Sequence, residues 1–233
     1  MISEFENKKS FEILIFIPAR SKSKRFKNKN LKKINGVSLI EKTINFSKKI
    51  KQKKYIFLST DSQKYANIAA KKGAHVPFLR SSKNSLDQSD INDAINEFLK
   101  KTSHYLKFKY LLLLLPTQPL RKLSTFRKIY NAIRRKKVDT VISVKNLNRT
   151  EDTIFKLRNK QFVNKKIKTE NSQFQNNFYT PCGCFYLTSV KKFKKKNNIF
   201  NGKIFAIETH YPEHLDIDKK FDLKIANLIK NKS

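Results

Sequence analysis

Apolar residues in this chain fall into two alternating rhythms. Short, largely apolar runs occur at residues 13–17, 55–58, 110–115 and 140–144. Runs this brief and this rich in β-branched and bulky residues predict strands buried on both faces, the habit of a parallel sheet. Between them the apolar positions spread to helical spacing. Ile40, Ile44 and Ser47 share one face of residues 38–49, after a turn at Asn35-Gly36. Asp61 or Ser62 can cap a second helix that Gly73 closes. Asp90 caps a third, with Ile91, Ala94, Ile95, Phe98 and Leu99 forming a core stripe, and Ser124 is set to cap a fourth carrying Phe126, Ile129, Tyr130 and Ile133. Strand, helix, strand, helix predicts an α/β fold with right-handed crossovers. The rhythm breaks at residues 145–177, where 154–157 and 162–167 flank Asn159-Lys160 and predict a β-hairpin.

Composition narrows the class. With 233 residues, 39% of them hydrophobic, the chain can bury a core as one domain over 11–233, the 145–180 stretch being a small elaboration. Lys and Arg number 52 against 18 Asp and Glu, a formal charge of +34 that favours polyanions: nucleic acid, anionic membrane or phosphorylated substrates. The lysines are spread along the chain, so biased base composition of the genome is a rival explanation. No run approaches the ~20 apolar residues of a membrane span. Two cysteines suit a reducing compartment, and the first ten residues carry acids without an apolar stretch, so a cytoplasmic protein is expected. RNP-like, KH, zinc-finger and helix-turn-helix signatures are missing, which disfavours a basic nucleic-acid-binding protein, the alternative of another class.

The candidate chemistry gathers where strands end. The run at 13–17 meets Pro18, which cannot extend a ladder, and then Arg20, Lys22, Lys24, Arg25, Lys27 and Lys29. A basic loop at a strand's carboxyl end is how open α/β sheets hold phosphorylated ligands; the competing explanation is a solvated loop in a chain basic throughout. Near the other end, Asp216 and Asp218 are two apart in an extended stretch, so both point one way and can share a hard cation, Mg²⁺ or Mn²⁺. A capped helix start, through Asp218 or Asp222, competes with that role. Cys182 and Cys184 lack the further ligands of a zinc site and read as strand thiols, and Pro212 between His210 and His214 argues against a helical ligand pair.

Several motifs resemble those of the acylneuraminate cytidylyltransferases, the CMP-sialic acid synthetases, in order along residues 13–229. These are Pro18-Ala19-Arg20, Ser23-Lys24-Arg25, Lys29-Asn30-Leu31, Arg80 with Ser85-Leu86-Asp87, Pro116-Thr117-Gln118-Pro119-Leu120-Arg121, the 179–186 strand, and Asp216-Ile217-Asp218 followed by Asp222-Leu223. Ser59-Thr60-Asp61 resembles a triplet found widely in sugar nucleotidyltransferases and reads equally as a strand end with a cap. The resemblance implies a Rossmann-like three-layer nucleotidyltransferase fold with a mainly parallel sheet and a hairpin arm, 145–180, that contacts a second subunit of a homodimer. It implies nucleotide contacts at Ala19, Arg20, Ser23, Lys24, Lys29, Asn30, Arg80 and Asp87, and sugar contacts at Thr117, Gln118 and Tyr186. Arg20, Lys29, Asp216 and Asp218 are implied as the catalytic set, with the two aspartates on Mg²⁺ or Mn²⁺. The implied reaction couples CTP to a nonulosonic acid, giving a CMP-sugar and pyrophosphate; a KDO-type ulosonate is the alternative substrate. Gln118, Leu115 and Cys182 stand where the family usually has Ser, Gln and Asn.

Overall fold

The computed structural model describes residues 8–21, 26–86, 88–147, 156–158, 161–163 and 178–230. The chain runs β1 (Lys9–Pro18), a 3-10 turn (Lys29–Leu31), β2 (Lys33–Ile34), β3 (Val37–Ser38), α1 (Leu39–Lys48), β4 (Lys54–Ser59) and α2 (Gln63–Lys71). A second 3-10 turn (Lys83–Ser85), α3 (Ile91–Thr102), β5 (Leu106–Leu113), α4 (Leu123–Arg135) and β6 (Thr140–Asn146) follow. Then come β7 (Lys156–Arg158), β8 (Gln161–Val163), β9 (Tyr179–Ser189), α5 (Val190–Lys196), β10 (Ile204–Glu208) and α6 (Lys220–Lys230).

Six strands form one sheet in the order β10-β6-β9-β5-β1-β4. β1 pairs in parallel with β4 and β5, and β10 with β6, while β9 is antiparallel to both of its neighbours. The expected three layers follow from β1, whose side chains alternate between two buried faces. Ile13, Ile15 and Ile17 join Ile40 and Ile44 of α1, Tyr65 of α2 and Phe126 and Ile129 of α4. Leu14 and Phe16 join Ile95 and Phe98 of α3 and Phe193 of α5 on the other side. With both faces covered, the continuous apolar run is what the position demands.

Chain order sets the functional geometry. β4 lies on one side of β1 and β5 on the other, so the order reverses beside β1, and the loops leaving β1 and β5 open next to each other. Open sheets of this kind bind ligands at that point. Asn35 and Gly36, both at positive φ, close the tight β2–β3 hairpin, and α6 packs against it through Ala226, Ile34, Leu39 and Ile217.

One alternative in the local sequence signals is resolved, and one signal fails. Asp61 does not cap α2; Ser62 does, accepting from the Tyr65 N–H. Ser124 does not cap α4, which begins after Lys122 without a side-chain cap of its own. The hairpin expectation holds for β7 and β8, which pair antiparallel from Lys156 with Val163 to Arg158 with Gln161; the other positions proposed for it lie outside the described residues.

Candidate active site

A cavity of about 300 Å³ opens at the reversal point, lined by the end of β1 and the loop after it (Pro18, Arg20, Phe26, Lys29, Asn30), the α2–α3 connection (Arg80, Asn84, Leu86, Ser89), Ile91 and the β5 loop (Leu115, Pro116, Thr117). Three stretches far apart in sequence thus supply one concave surface.

The β1 loop is held from both sides. Ala19, fully buried, donates its N–H to the Ser59 carbonyl at 2.8 Å. Ser21 donates both its N–H and its hydroxyl to the Asp61 carboxylate, at 2.7 and 2.9 Å. Asn30, buried, donates its side-chain amide to the Arg20 carbonyl at 3.1 Å. These bonds fix the backbone on either side of Arg20, whose guanidinium reaches the Leu86 carbonyl at 3.0 Å. Arg80 donates to the hydroxyl and carbonyl of Ser59 at 2.9 and 2.8 Å. Burial lowers the Arg80 guanidinium to about 10, with Asp61 opposing and Arg20 adding to that shift, so it stays charged at neutral pH.

The β5 loop is set by Arg121. Its guanidinium is buried and donates to the carbonyls of Cys184, at 2.8 Å, and Leu115. Burial brings it down to about 10. Across from it, residues 182–185 of β9 bulge opposite the single Ser143, whose hydroxyl accepts the Phe185 N–H at 2.8 Å and donates to its carbonyl at 3.1 Å. Gly183 makes this possible: its φ is +84°, and a Cβ there would stand 3.2 Å from Leu115 Cδ1.

The acidic pair arrives from the carboxyl-terminal part of the chain. Ile217 donates its N–H to the Thr117 carbonyl at 2.9 Å, laying residues 215–218 along the β5 loop. Asp218 meets Lys29 Nζ at 2.7 Å. Asp216 is an exposed residue that hydrogen-bonds Thr117; desolvation by the atoms packed around its carboxylate, with Asp218 and Asp222 nearby, raises it above the ordinary value. Asp222 accepts the N–H groups of Asp218 and Lys219 at 2.9 and 2.7 Å, the capping alternative realised.

The structure therefore brings Arg20, Lys29, Asn30, Arg80 and Thr117 to the cavity wall, with Asp216 and Asp218 tied to two of them. Ala19 sits behind the wall with its N–H already bonded. Gln118 also points away: it is 1% exposed, and its side-chain oxygen accepts the Cys184 thiol at 3.4 Å. Tyr186 lies under Phe200, ring centroids 5.6 Å apart, outside the cavity lining. Ser23, Lys24 and Asp87 lie outside the described residues. Cys182 and Cys184 are free, buried thiols. Phe26, Asn84, Ser89 and Ile91 join the cavity without having been expected there. Ile91 carried only a core signal, because the first residue of a helix can serve both the core and the loop side.

The family model described as cytidylyltransferase matches residues 14–231. The post-translational flagellin modification protein B of Campylobacter coli is 30% identical over 231 residues, 95% of this chain and 97% of its own. An N-acylneuraminate cytidylyltransferase of Streptococcus agalactiae is 26% identical over 214 residues; the match covers 90% of this chain but about half, 51%, of that relative. Among solved structures, CMP:2-keto-3-deoxy-manno-octonic acid synthetase complexed with CTP superposes with a TM-score of 0.68 at 14% identity, covering 95% of this chain and all of that one, a likeness of fold.

Proposed function

The chain belongs to the cytidylyltransferase family, and from that membership we propose that it couples CTP to a nonulosonic, sialic-acid-like sugar, releasing pyrophosphate. One observation carries the proposal: the cationic loop after β1 and the carboxylate pair of the carboxyl-terminal segment meet at the reversal point, Lys29 on Asp218 at 2.7 Å, beside a cavity of about 300 Å³. The N-acylneuraminate activity named for the streptococcal relative supports the choice of sugar.

In this account Arg20 and Lys29, with Lys24, neutralise the triphosphate, and Arg80 and Asn30 keep the loop shaped to receive it. The cavity holds the α-phosphate while the anomeric hydroxyl of the sugar approaches in line. The O–P bond forms as the bond from the α-phosphorus to the bridging oxygen breaks; the hydroxyl proton is lost to solvent, and pyrophosphate leaves with the electron pair of the broken bond. Thr117, on the cavity wall, is placed for the sugar side.

Asp216 and Asp218 fit a divalent cation: both offer hard oxygens, and the like charges of Asp218 and Asp222 are part of what raises Asp216. No group of three His, Cys, Asp or Glu side chains able to hold a metal occurs among the described residues, so Asp216 and Asp218 would hold the ion together with phosphate oxygens of CTP. When bound, Mg²⁺ or Mn²⁺ supplies Lewis-acid polarisation of the phosphate and charge stabilisation on the leaving group.

We further read residues 11–233 as one catalytic domain working as a homodimer, with the 145–180 arm against the second subunit. A two-stranded pair such as β7–β8 is marginal alone. No helix among the described residues is long and apolar enough to cross a membrane, and the two free thiols are consistent with a cytoplasmic enzyme. Pyrophosphate release from CTP with a panel of nonulosonic acids tests the proposal.

A further inference from the structure

Residues 215–218 belong to no strand, so no backbone ladder explains why Asp216 and Asp218 stand where they do. Besides the single backbone bond from Ile217 to Thr117, their placement draws on side-chain anchors on either side. Downstream, Asp222 fixes the start of α6, and Ile217 is buried against Ile34 and Leu39. Upstream, the anchor is Glu213.

Glu213 is 4% exposed, and both of its carboxylate oxygens are engaged. Oε1 accepts the Lys122 N–H at 3.0 Å, and Oε2 accepts the Thr125 hydroxyl at 2.9 Å. These groups form the amino end of α4, where backbone N–H groups lack partners within the helix and the dipole favours a negative charge. The helix has no side-chain cap of its own, so a carboxylate about 90 residues away in sequence takes the place of one. The backbone of Glu213 is pinned as well. Its N–H donates to the His210 carbonyl at 2.9 Å, and its carbonyl shares the Cys184 thiol proton with Gln118, at 3.4 Å.

We propose that Glu213 is a positioning residue: by tying the carboxyl-terminal segment to the amino end of α4, it sets Asp216 and Asp218 over the phosphate-binding loops. The loop from Pro116 to Arg121 leads directly into α4, so the tether joins the two segments that bonding between Ile217 and Thr117 also brings together. Losing it leaves the aspartates present but loosely aimed. This rests on the reading in which they hold a divalent cation with CTP.

The test measures Mn²⁺ binding by electron paramagnetic resonance in the presence of CTP without any sugar, so that no turnover occurs. Glu213→Ala should weaken Mn²⁺ binding about 10-fold or more, the scale of losing an outer-shell support, with CTP affinity in the absence of metal unchanged. Glu213→Gln keeps the reach, accepts from Lys122 and donates to Thr125, and should restore binding to within about 3-fold. Mn²⁺ affinity of Glu213→Ala within about two-fold of the parent overturns the proposal. Asp216→Asn and Asp218→Asn test the metal reading separately. If neither alters Mn²⁺ binding, that reading fails, and hydrogen exchange at the Ile217 amide decides the tether by itself. Exchange should quicken about 10-fold in Glu213→Ala, and an unchanged rate refutes the tether. Should Glu213→Ala not fold, Thr125→Val, which removes one of the two side-chain contacts at nearly constant volume, is read by the same measurements: weaker Mn²⁺ binding or faster Ile217 exchange supports the tether, and parental values in both refute it.

Discussion

Lys29 and Asp218 are 189 residues apart in sequence and 2.7 Å apart in space. Each is partly open to solvent, so the pair itself contributes little to stability, about 1 kcal/mol or less. Its significance is positional. It shows that the loop after β1 and the segment before α6 close on the same cavity; in the proposed reaction the cation would trade its partner for phosphate and the anion for metal.

Arg20→Ala and Lys29→Ala should therefore each lower turnover with CTP by about 10²–10³-fold, the scale of removing one preorganised donor, while the melting temperature moves little. Parallel pyrophosphate assays and thermal melts check this. Near-parental turnover in Arg20→Ala would show that the triphosphate lies elsewhere.

The three neighbouring aspartates should behave differently. Asp216→Asn and Asp218→Asn remove a charge at almost constant volume, so turnover should fall steeply in a folded protein. Asp222→Asn should instead lower stability by about 1 kcal/mol or less, because both backbone N–H groups meet one oxygen, which the Asn amide still supplies without the charge. Equal losses of activity from all three would remove the special role of the first two.

Asp216 also makes a prediction about pH. Its folded-state value is raised, chiefly by desolvation, above that of the unfolded chain. A carboxylate shifted this way favours the fold only while protonated: that contribution is present below the unfolded value and lost as pH rises through the folded one. At neutral pH the charged form is therefore slightly the less favoured, by an amount that solvent screening reduces because the residue is exposed, and Asp216→Asn should melt slightly higher than the parent. The gain should shrink as pH falls into the carboxylate range. A lower melting temperature for Asp216→Asn at neutral pH would contradict the assignment.

Arg121 should matter to the fold more than to the chemistry. Its buried guanidinium holds the carbonyls of Cys184 and Leu115, so Arg121→Met leaves both acceptors without their donor. Denaturant titration should show a loss of about 2–4 kcal/mol, the range for charged hydrogen bonds broken in a core.

How much was legible in the chain depended on how local each signal is. Ile13 to Ile17, Phe98 with Leu99, and Gly73 announce their elements because strand runs, helical stripes and a left-handed closing residue act within a few positions; Gly73 has φ +81°. Asp61 and Ser62 both satisfy the local rule for a cap, and only a partner 40 residues away, Ser21, separates them. Glu213 gave no signal, since the groups it caps lie 88 and 91 residues earlier. Gln118 shows the limit of a motif. Two prolines fix an irregular path, but which polar residue faces the cavity depends on the bulge at Gly183, and Thr117 faces it while Gln118 packs on Cys184. The insertion of β9 between β5 and β6 is likewise a matter of topology, which spacing along the chain does not encode.

The central claim is tested most directly by pyrophosphate release with CTP and separate nonulosonic acids, sialic, legionaminic and pseudaminic, with KDO and UTP as controls. Sugar-dependent release with CTP and at least one nonulosonic acid, little or none with KDO or UTP, and loss of the signal in Asp218→Asn is the predicted result. Release with KDO alone, or with no nonulosonic acid at all, would contradict the account.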